Sequence, residues 1–350
     1  MTFTKFMAAA ACATIVASAA SAQVNLTAET AGAGGVPHFS ITHLAQVASE
    51  AGVADLQVLE GQTLTNSLRN VAEGNTDIAA VPLVLPFLLS RNLGPYAGLP
   101  EGRGAELVQN VRLLYPYNFS SHALWGFETA GITSYDQIEG LTILNGPPAG
   151  AALVSARQFI TGLTGLEEGE GYNGLQVNWG QMGTAAMDGS ADMNLLPIGF
   201  PDADVTAASS AGGVVIVSMP KDTFESEQFQ RLANSPGRAP VVISEEEMGF
   251  GQNDNVRLVS EDGMFRGVVI AAGDVVRADM DEELVYTLVS EYITSMDVLK
   301  SRAKLLENTG IGVVDVAQSA VCGPNPVKYH AGAVRAWEDA GFTIADCAKP

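Results

Sequence analysis

The stretch "VNLTAETAGAGGVPHFSITHLAQVASEAG", Val24 to Gly52, decides how the fold is read. It opens on a strand-like run, turns through Gly32, Gly34 and Gly35, and continues as an amphipathic segment expected to be helical from about residue 39 to 51. A dinucleotide fingerprint would need a third glycine where Pro37 stands, so no nicotinamide cofactor is expected. What survives of the pattern is more general. Glycines let backbone N–H groups crowd towards a ligand, and the following helix offers its positive end. A small anion or carboxylate suits such a turn, although these residues alone leave an ordinary strand-to-helix corner open.

The same strand, turn and helix order recurs outward from that stretch. Apolar runs such as "LQVLEG" and "DIAAVPL" alternate with helical patterns, among them residues 63 to 73, which argues for α/β layers with largely parallel sheets. Ligands in such sheets sit beyond the carboxyl ends of the strands, where turns lead into helices. Three further corners stand out: Gly61-Gln62-Thr63, Asn145 to Gly150 in "LTILNGPPAGAALVSARQFI", and the end of "ADMNLLPIGFPDADV". Two extended stretches, "SSHALWGFE" at 120–128 and "FRGVVIAAGD" at 265–274, are expected to carry the chain between two lobes. Lobe one would then comprise residues 23–121 and 266–350, and lobe two residues 122–265.

The first 22 residues have the pattern of an export signal: Lys5, the apolar run "FMAAAACATIVASAA", and the small-residue site Ala20-Ser21-Ala22 before Gln23. The run is too short to span a bilayer, which needs about 20 apolar residues. Cys12 follows small residues in a loosely lipobox-like way, so a lipoprotein stays as a minor alternative. Two cysteines remain after cleavage, Cys322 and Cys347, and in an oxidising compartment they are expected to form a disulfide. Neither lies in a metal-like spacing.

The 39 acidic and 18 basic residues give a formal charge of -21, which excludes nucleic acid as a partner. Catalysis finds no motif: there is no Gly-x-Ser-x-Gly elbow, His-Glu-x-x-His pair or phosphate loop. The four histidines, His38, His43, His122 and His330, have no metal-ligand spacing, so neither metal nor catalytic residues are expected. A periplasmic hydrolase built from scattered residues stays as the rival class.

The segments "AGAGGV", "GQTLTNSLRNVAEGNTDIAAVPL" with its Gly74-x-x-Asp77-Ile78-Ala79, "LLYPYNFSSHALW", "GITSYDQIEGLTILNGPPAG", "AAMDGSADMNLLPIGFPDADV", "VVRADMDEELVYTLVSEYITSMDVL" and "YHAGAVRAWEDAGF" follow one another along nearly the whole mature chain. In that order the sequence resembles the TAXI-type solute receptors of tripartite ATP-independent periplasmic (TRAP) transporters. The resemblance implies a two-lobed periplasmic binding protein fold, type II-like, with a hinge between two α/β lobes. It also implies a periplasmic, cofactor-free, monomeric receptor that closes on a small carboxylate of the glutamate or 2-oxoglutarate type and delivers it to TRAP membrane subunits. An ABC-type binding protein would share the fold and differ in its membrane partner.

Matching positions to that family assigns Gly34, Gly35 and Val36 to the first binding turn, and Thr63, Leu64 and Asn66 to the second helix start. Pro147, Ala149, Gly150 and Ala151 match the lobe-two loop, and Phe200 with Pro201 the segment that covers the ligand. The chain departs from the family in Pro37-His38, where an aromatic pair is usual, and in Ala149 and Ala151, where hydroxyls are common. Beside these, His38 is expected either to donate to a carboxylate or to cap its turn. Trp179 is expected either to touch ligand or to pack, whereas Trp125 favours the core. A buried bidentate arginine would be the strongest carboxylate anchor. Arg69, Arg91 and Arg157 are the candidates, and the sequence singles out none of them.

Overall fold

Parallel pairing of the first strands demands helical crossovers, and the glycine corners supply their turns. The computed structural model describes residues 23–250, 255–311 and 321–350, so the export signal expected over residues 1–22 lies outside the described residues. Strand β1 (Val24–Glu29) runs parallel to β2 (Ala54–Leu59) and β3 (Ile78–Pro82). Helix α1 (Val36–Glu50) and α2 (Leu64–Glu73) make the crossovers. Helix α1 begins about three residues earlier than the periodicity suggests, because Pro37 sits in its first turn, where a proline needs no amide partner and its fixed φ fits. Helix α2 ends on Gly74 at φ 78°, a left-handed stop that glycine adopts without a Cβ penalty.

After α3 (Val84–Ser90) and α4 (Arg103–Val108) comes the long strand β4 (Val111–Phe127). The chain then builds β5 (Thr142–Gly146), α5 (Ala151–Thr164), β6 (Asn173–Gln176), α6 (Trp179–Met187) and β7 (Met193–Ile198). Next are α7 (Ala203–Ala211), β8 (Val214–Val217), α8 (Lys221–Glu225), α9 (Glu227–Ala233), β9 (Arg238–Ser244) and β10 (Val256–Val259). The second long strand, β11 (Met264–Arg277), is followed by α10 (Glu282–Thr294), α11 (Met296–Lys300), β12 (Lys328–Tyr329) and α12 (Ala331–Asp339).

One curled sheet threads the whole molecule in the order β2-β1-β3-β11-β4-β7-β5-β6, with β8, β9, β10 and β12 attached at its sides. The sheet is mixed rather than largely parallel. Strands β4 and β11 run antiparallel to each other from Val111↔Arg277 to Ser121↔Val269, and β11 is also antiparallel to β3 and β9. The stretches expected to cross between lobes are thus parts of two longer strands that lie side by side.

The fold is two-lobed, and its apolar cores show where the lobes gather. One core draws on residues 26–117 and 271–348, while two smaller ones on the other side draw only on residues 123–268. Burial of such aliphatic surface stabilises each side by roughly 25 cal/mol per Å². The C-terminal elements return to the first core, where the Trp337 indole N–H donates to the Leu114 carbonyl at 3.0 Å. The expected disulfide is present: Cys322 and Cys347 are bonded, with Cα atoms 5.5 Å apart.

Asp274 of β11 is fully buried in the first core. It accepts from the Ser40 hydroxyl at 2.6 Å and the Tyr117 hydroxyl at 2.8 Å, and Ser40 lies 3.0 Å from the Tyr292 hydroxyl. Burial pushes this carboxyl up to about 7, against the pull of its donors.

Candidate functional site

Five helices start at the rim of one cavity of about 580 Å³ between the two sides of the molecule. From the first core come the turns before α1 and α2; from the other side come those before α5, α6 and α7. The geometry of each turn follows from its residues. Gly34 holds φ 87° and Gly150 holds φ 111°, conformations that side-chain-bearing residues rarely adopt. A Cβ on Gly34 would stand 3.9 Å from the Ala203 Cβ, and one on Gly150 would stand 3.4 Å from the Thr63 side chain, so these glycines mark where the two sides approach.

No side chain caps α1, α2, α5 or α6, so their first amides and their positive ends stay directed at the cavity rim. Helix α7 differs. Asp202 caps it, accepting from the amides of Asp204 at 2.9 Å and Val205 at 3.2 Å. Burial nevertheless pushes Asp202 up to about 6, and burial raises Asp204 as well.

Of the residues singled out in the sequence, Gly34, Gly35, Val36, Thr63, Leu64, Pro147, Ala149, Gly150, Ala151, Trp179 and Pro201 all line this cavity. Three others do not. His38 turns to Glu60, with Nε2 and Oε1 3.1 Å apart; Asn66 is exposed on α2; and Phe200, joined to Pro201 by a cis peptide, packs edge-on against Phe265 at 5.0 Å. None of the three arginines weighed from the sequence lines the cavity. Arg69 pairs with Glu73 at 2.8 Å, Arg157 clamps Glu168 at 2.6 Å and 2.9 Å, and Arg91 lies over the Phe87 ring at 5.0 Å.

The cavity holds a different arginine, Arg238, which sequence reasoning missed. Among the described residues it is the only Lys or Arg that lines the cavity, and no carboxylate pairs with it. Its Nη2 donates to the Ser155 hydroxyl at 2.7 Å and to the Gln158 side-chain oxygen at 3.3 Å, both on α5. Burial pulls the guanidinium down to about 10, as expected for a cation facing no anion. Gly237, just before it at φ 77°, explains the placement: a Cβ there would stand 2.3 Å from the Val84 amide nitrogen, so only glycine lets the turn sit so close to the other side. The dipeptide Pro236-Gly237 ahead of a strand was the available signal.

The floor of the cavity carries unpaired polar atoms. The Ser120 hydroxyl, both ring nitrogens of His122 and the Trp125 indole N–H are buried without a hydrogen-bond partner among the described residues, and all three residues line the cavity. His122 stacks on Phe159 with centroids 5.4 Å apart. Burial, then the Arg238 charge, lower its pKa to about 3, while the Ala152 backbone, near but outside hydrogen-bond geometry, pulls weakly the other way. The imidazole is therefore neutral at physiological pH. Much of the remaining wall is apolar, with Leu85, Met182, Leu196 and Ile270 among its residues. No group of three His, Cys, Asp or Glu suited to a metal ion occurs among the described residues, and none of their helices is long and apolar enough to cross a membrane.

Comparison with known proteins places this geometry. A model described as the NMT1-like family matches residues 28–341. No curated protein matches the chain. Among solved structures, a protein from Bordetella bronchiseptica RB50 superposes with a TM-score of 0.51 at 12% identity, over 91% of this chain and 99% of that one. The periplasmic nitrate-binding protein NrtA from Synechocystis PCC 6803 gives 0.45 at 10% identity, over 81% of this chain and 67% of that one. A TRAP periplasmic solute binding protein from Desulfovibrio salexigens DSM2638, in complex with diglycerolphosphate, gives 0.45 at 11% identity, over 94% and 93%.

Proposed function

The chain belongs to the NMT1-like family, and from that premise we propose that it is an exported solute receptor, not an enzyme, that holds a small organic acid between its lobes. The observation that carries this reading is Arg238. A recessed guanidinium without a carboxylate partner among the described residues faces a cavity ringed by helix N-termini, and both features favour a carboxylate. Residues 23–121 with 266–350 form lobe one in this reading, and 122–265 lobe two, a division supported by the separate cores.

Gly34, Gly35, Val36, Thr63 and Leu64 would present one half of the site. Pro147, Ala149, Gly150, Ala151, Trp179 and Pro201 would present the other, and ligand touching both halves would stabilise the closed arrangement. The sequence resemblance supports TRAP membrane subunits as the recipient. A gene for an ATPase beside this one, in place of TRAP subunits, would reassign the receptor to an ABC system.

A thermal-shift screen of the mature protein tests the ligand class, since a ligand that binds only the folded state raises the melting temperature by mass action. Organic acids are expected to raise it. Stabilisation by neutral sugars or peptides, with none by any acid, would overturn the assignment.

A further inference from the structure

Three neighbouring strands place the unpaired floor groups beside the cation. Arg238 on β9 stands opposite Ile270 on β11, and Ile270 stands opposite Ser120 on β4, so the three share one row across the sheet. Residues in register on adjacent strands face the same side, and two strand spacings are only about 10 Å, so a single small molecule can reach both ends of the row. His122 follows Ser120 by two residues and so faces the same side. Helix α5 backs the whole arrangement: Ser155 and Gln158 hold Arg238, and Phe159 stacks under His122.

We infer that the ligand is a hydroxy monocarboxylic acid, its carboxylate on Arg238 and a hydroxyl one or two carbons away on Ser120 and His122. This rests on the receptor reading above and narrows it. The chemistry of the floor selects a hydroxyl. A neutral imidazole carries one donor and one acceptor; the Arg238 N–H groups that bond protein go to Ser155 and Gln158 and leave His122 unpaired among the described residues, and a ligand carboxylate has no hydrogen to give the accepting ring nitrogen. A hydroxyl both donates and accepts. Ser120 and His122 are 8% and 2% exposed, so leaving them unpaired against an apolar ligand costs the full desolvation of those atoms.

Charge selects one carboxylate. Among the described residues Arg238 is the only Lys or Arg lining the cavity, and its acidic walls are Asp202 and Asp204, which would repel a second carboxylate that approached them.

The test is titration calorimetry on the full mature chain with matched monocarboxylic acids, linear and branched, each with and without a 2- or 3-hydroxyl, on wild type, Arg238→Met, His122→Phe and His122→Gln. A site built around a hydroxyl rejects the analogue lacking it, so wild type is expected to favour the hydroxy member of a pair by about tenfold or more. His122→Phe should collapse that ratio to near one, while His122→Gln, which keeps a donor and an acceptor, should retain part of it. Hydroxyl preference below about threefold in wild type, or an undiminished preference in His122→Phe, overturns the inference. If acids then still bind in an Arg238-dependent way, the receptor reading stands. Failure of every acid to bind overturns both.

Discussion

Replacing Arg238 with methionine separates ligand binding from folding, because the same charge should act on them in opposite directions. In the unliganded protein the guanidinium spends Nη2 on Ser155 and Gln158, and its Nε and Nη1 have no protein partner among the described residues. Two charge-assisted bonds from those nitrogens to a carboxylate are worth together about 3–5 kcal/mol, so Arg238→Met should weaken an acid ligand by roughly a hundredfold to several thousandfold. Without ligand the sign reverses. Burial lowers the arginine from its ordinary value to about 10, which means that the native state disfavours its charge, by roughly 3 kcal/mol at most. Methionine keeps much of the apolar stem, so the unliganded variant should melt at or above the wild-type temperature. Calorimetric titration with the best-binding acid, and denaturant unfolding without it, measure the two halves. Affinity retained within about threefold would refute the anchoring role, and clear destabilisation of the unliganded variant would refute the unpaired-charge argument.

Other outcomes follow from the same geometry. Asp274 holds its proton to about pH 7 in the native state, whereas an unfolded aspartate loses it near its ordinary value of 3.8, so the native state binds the extra proton between those limits. Stability should therefore fall as pH rises from about 4 to 7, by about 4 kcal/mol at most from this group, and Asp274→Asn should flatten that part of a denaturant-unfolding profile. Gly34→Ala should cost about 1 kcal/mol or more in unfolding free energy because of its positive φ, whereas Gly35→Ala, at φ −84° with its nearest neighbour at 3.7 Å, should be close to neutral. Replacing both Cys322 and Cys347 with serine opens a link across 25 residues of sequence and should lower stability by about 3 kcal/mol, read from the denaturant midpoint, without changing acid affinity.

The corners of the site were legible because their determinants are local. Glycines at 34, 61, 146 and 150 take positive φ within a few residues of the starts of α1, α2 and α5, and all four corners read from the sequence border the cavity. The proposed anchor was not legible, because Arg238 reaches the cavity through non-local events: its pairing opposite Ile270 and the seating of Gly237 on Val84. His38 shows the converse. Its position beside the first turn suggested a ligand, yet Glu60, distant in sequence and adjacent in space, meets its ring. Periodicity showed the extended stretches near 120–128 and 265–274, but not that they belong to long antiparallel neighbours, since pairing direction leaves no mark on a single strand's pattern.

That side-by-side arrangement governs how the halves of the molecule can move. The connections β4 and β11 share hydrogen bonds along most of their length, and their register shifts twice, between Ile270 and Ala271 and between Asp274 and Val275. Such a ribbon behaves like a leaf spring rather than a swivel pin. Its ladder resists sliding and torsion that would tear it, and the two irregularities are where the pairing is locally interrupted and the strands bend. In the receptor reading proposed above, opening and shutting would thereby be confined to a narrow family of trajectories that return the same two surfaces to the same alignment each time.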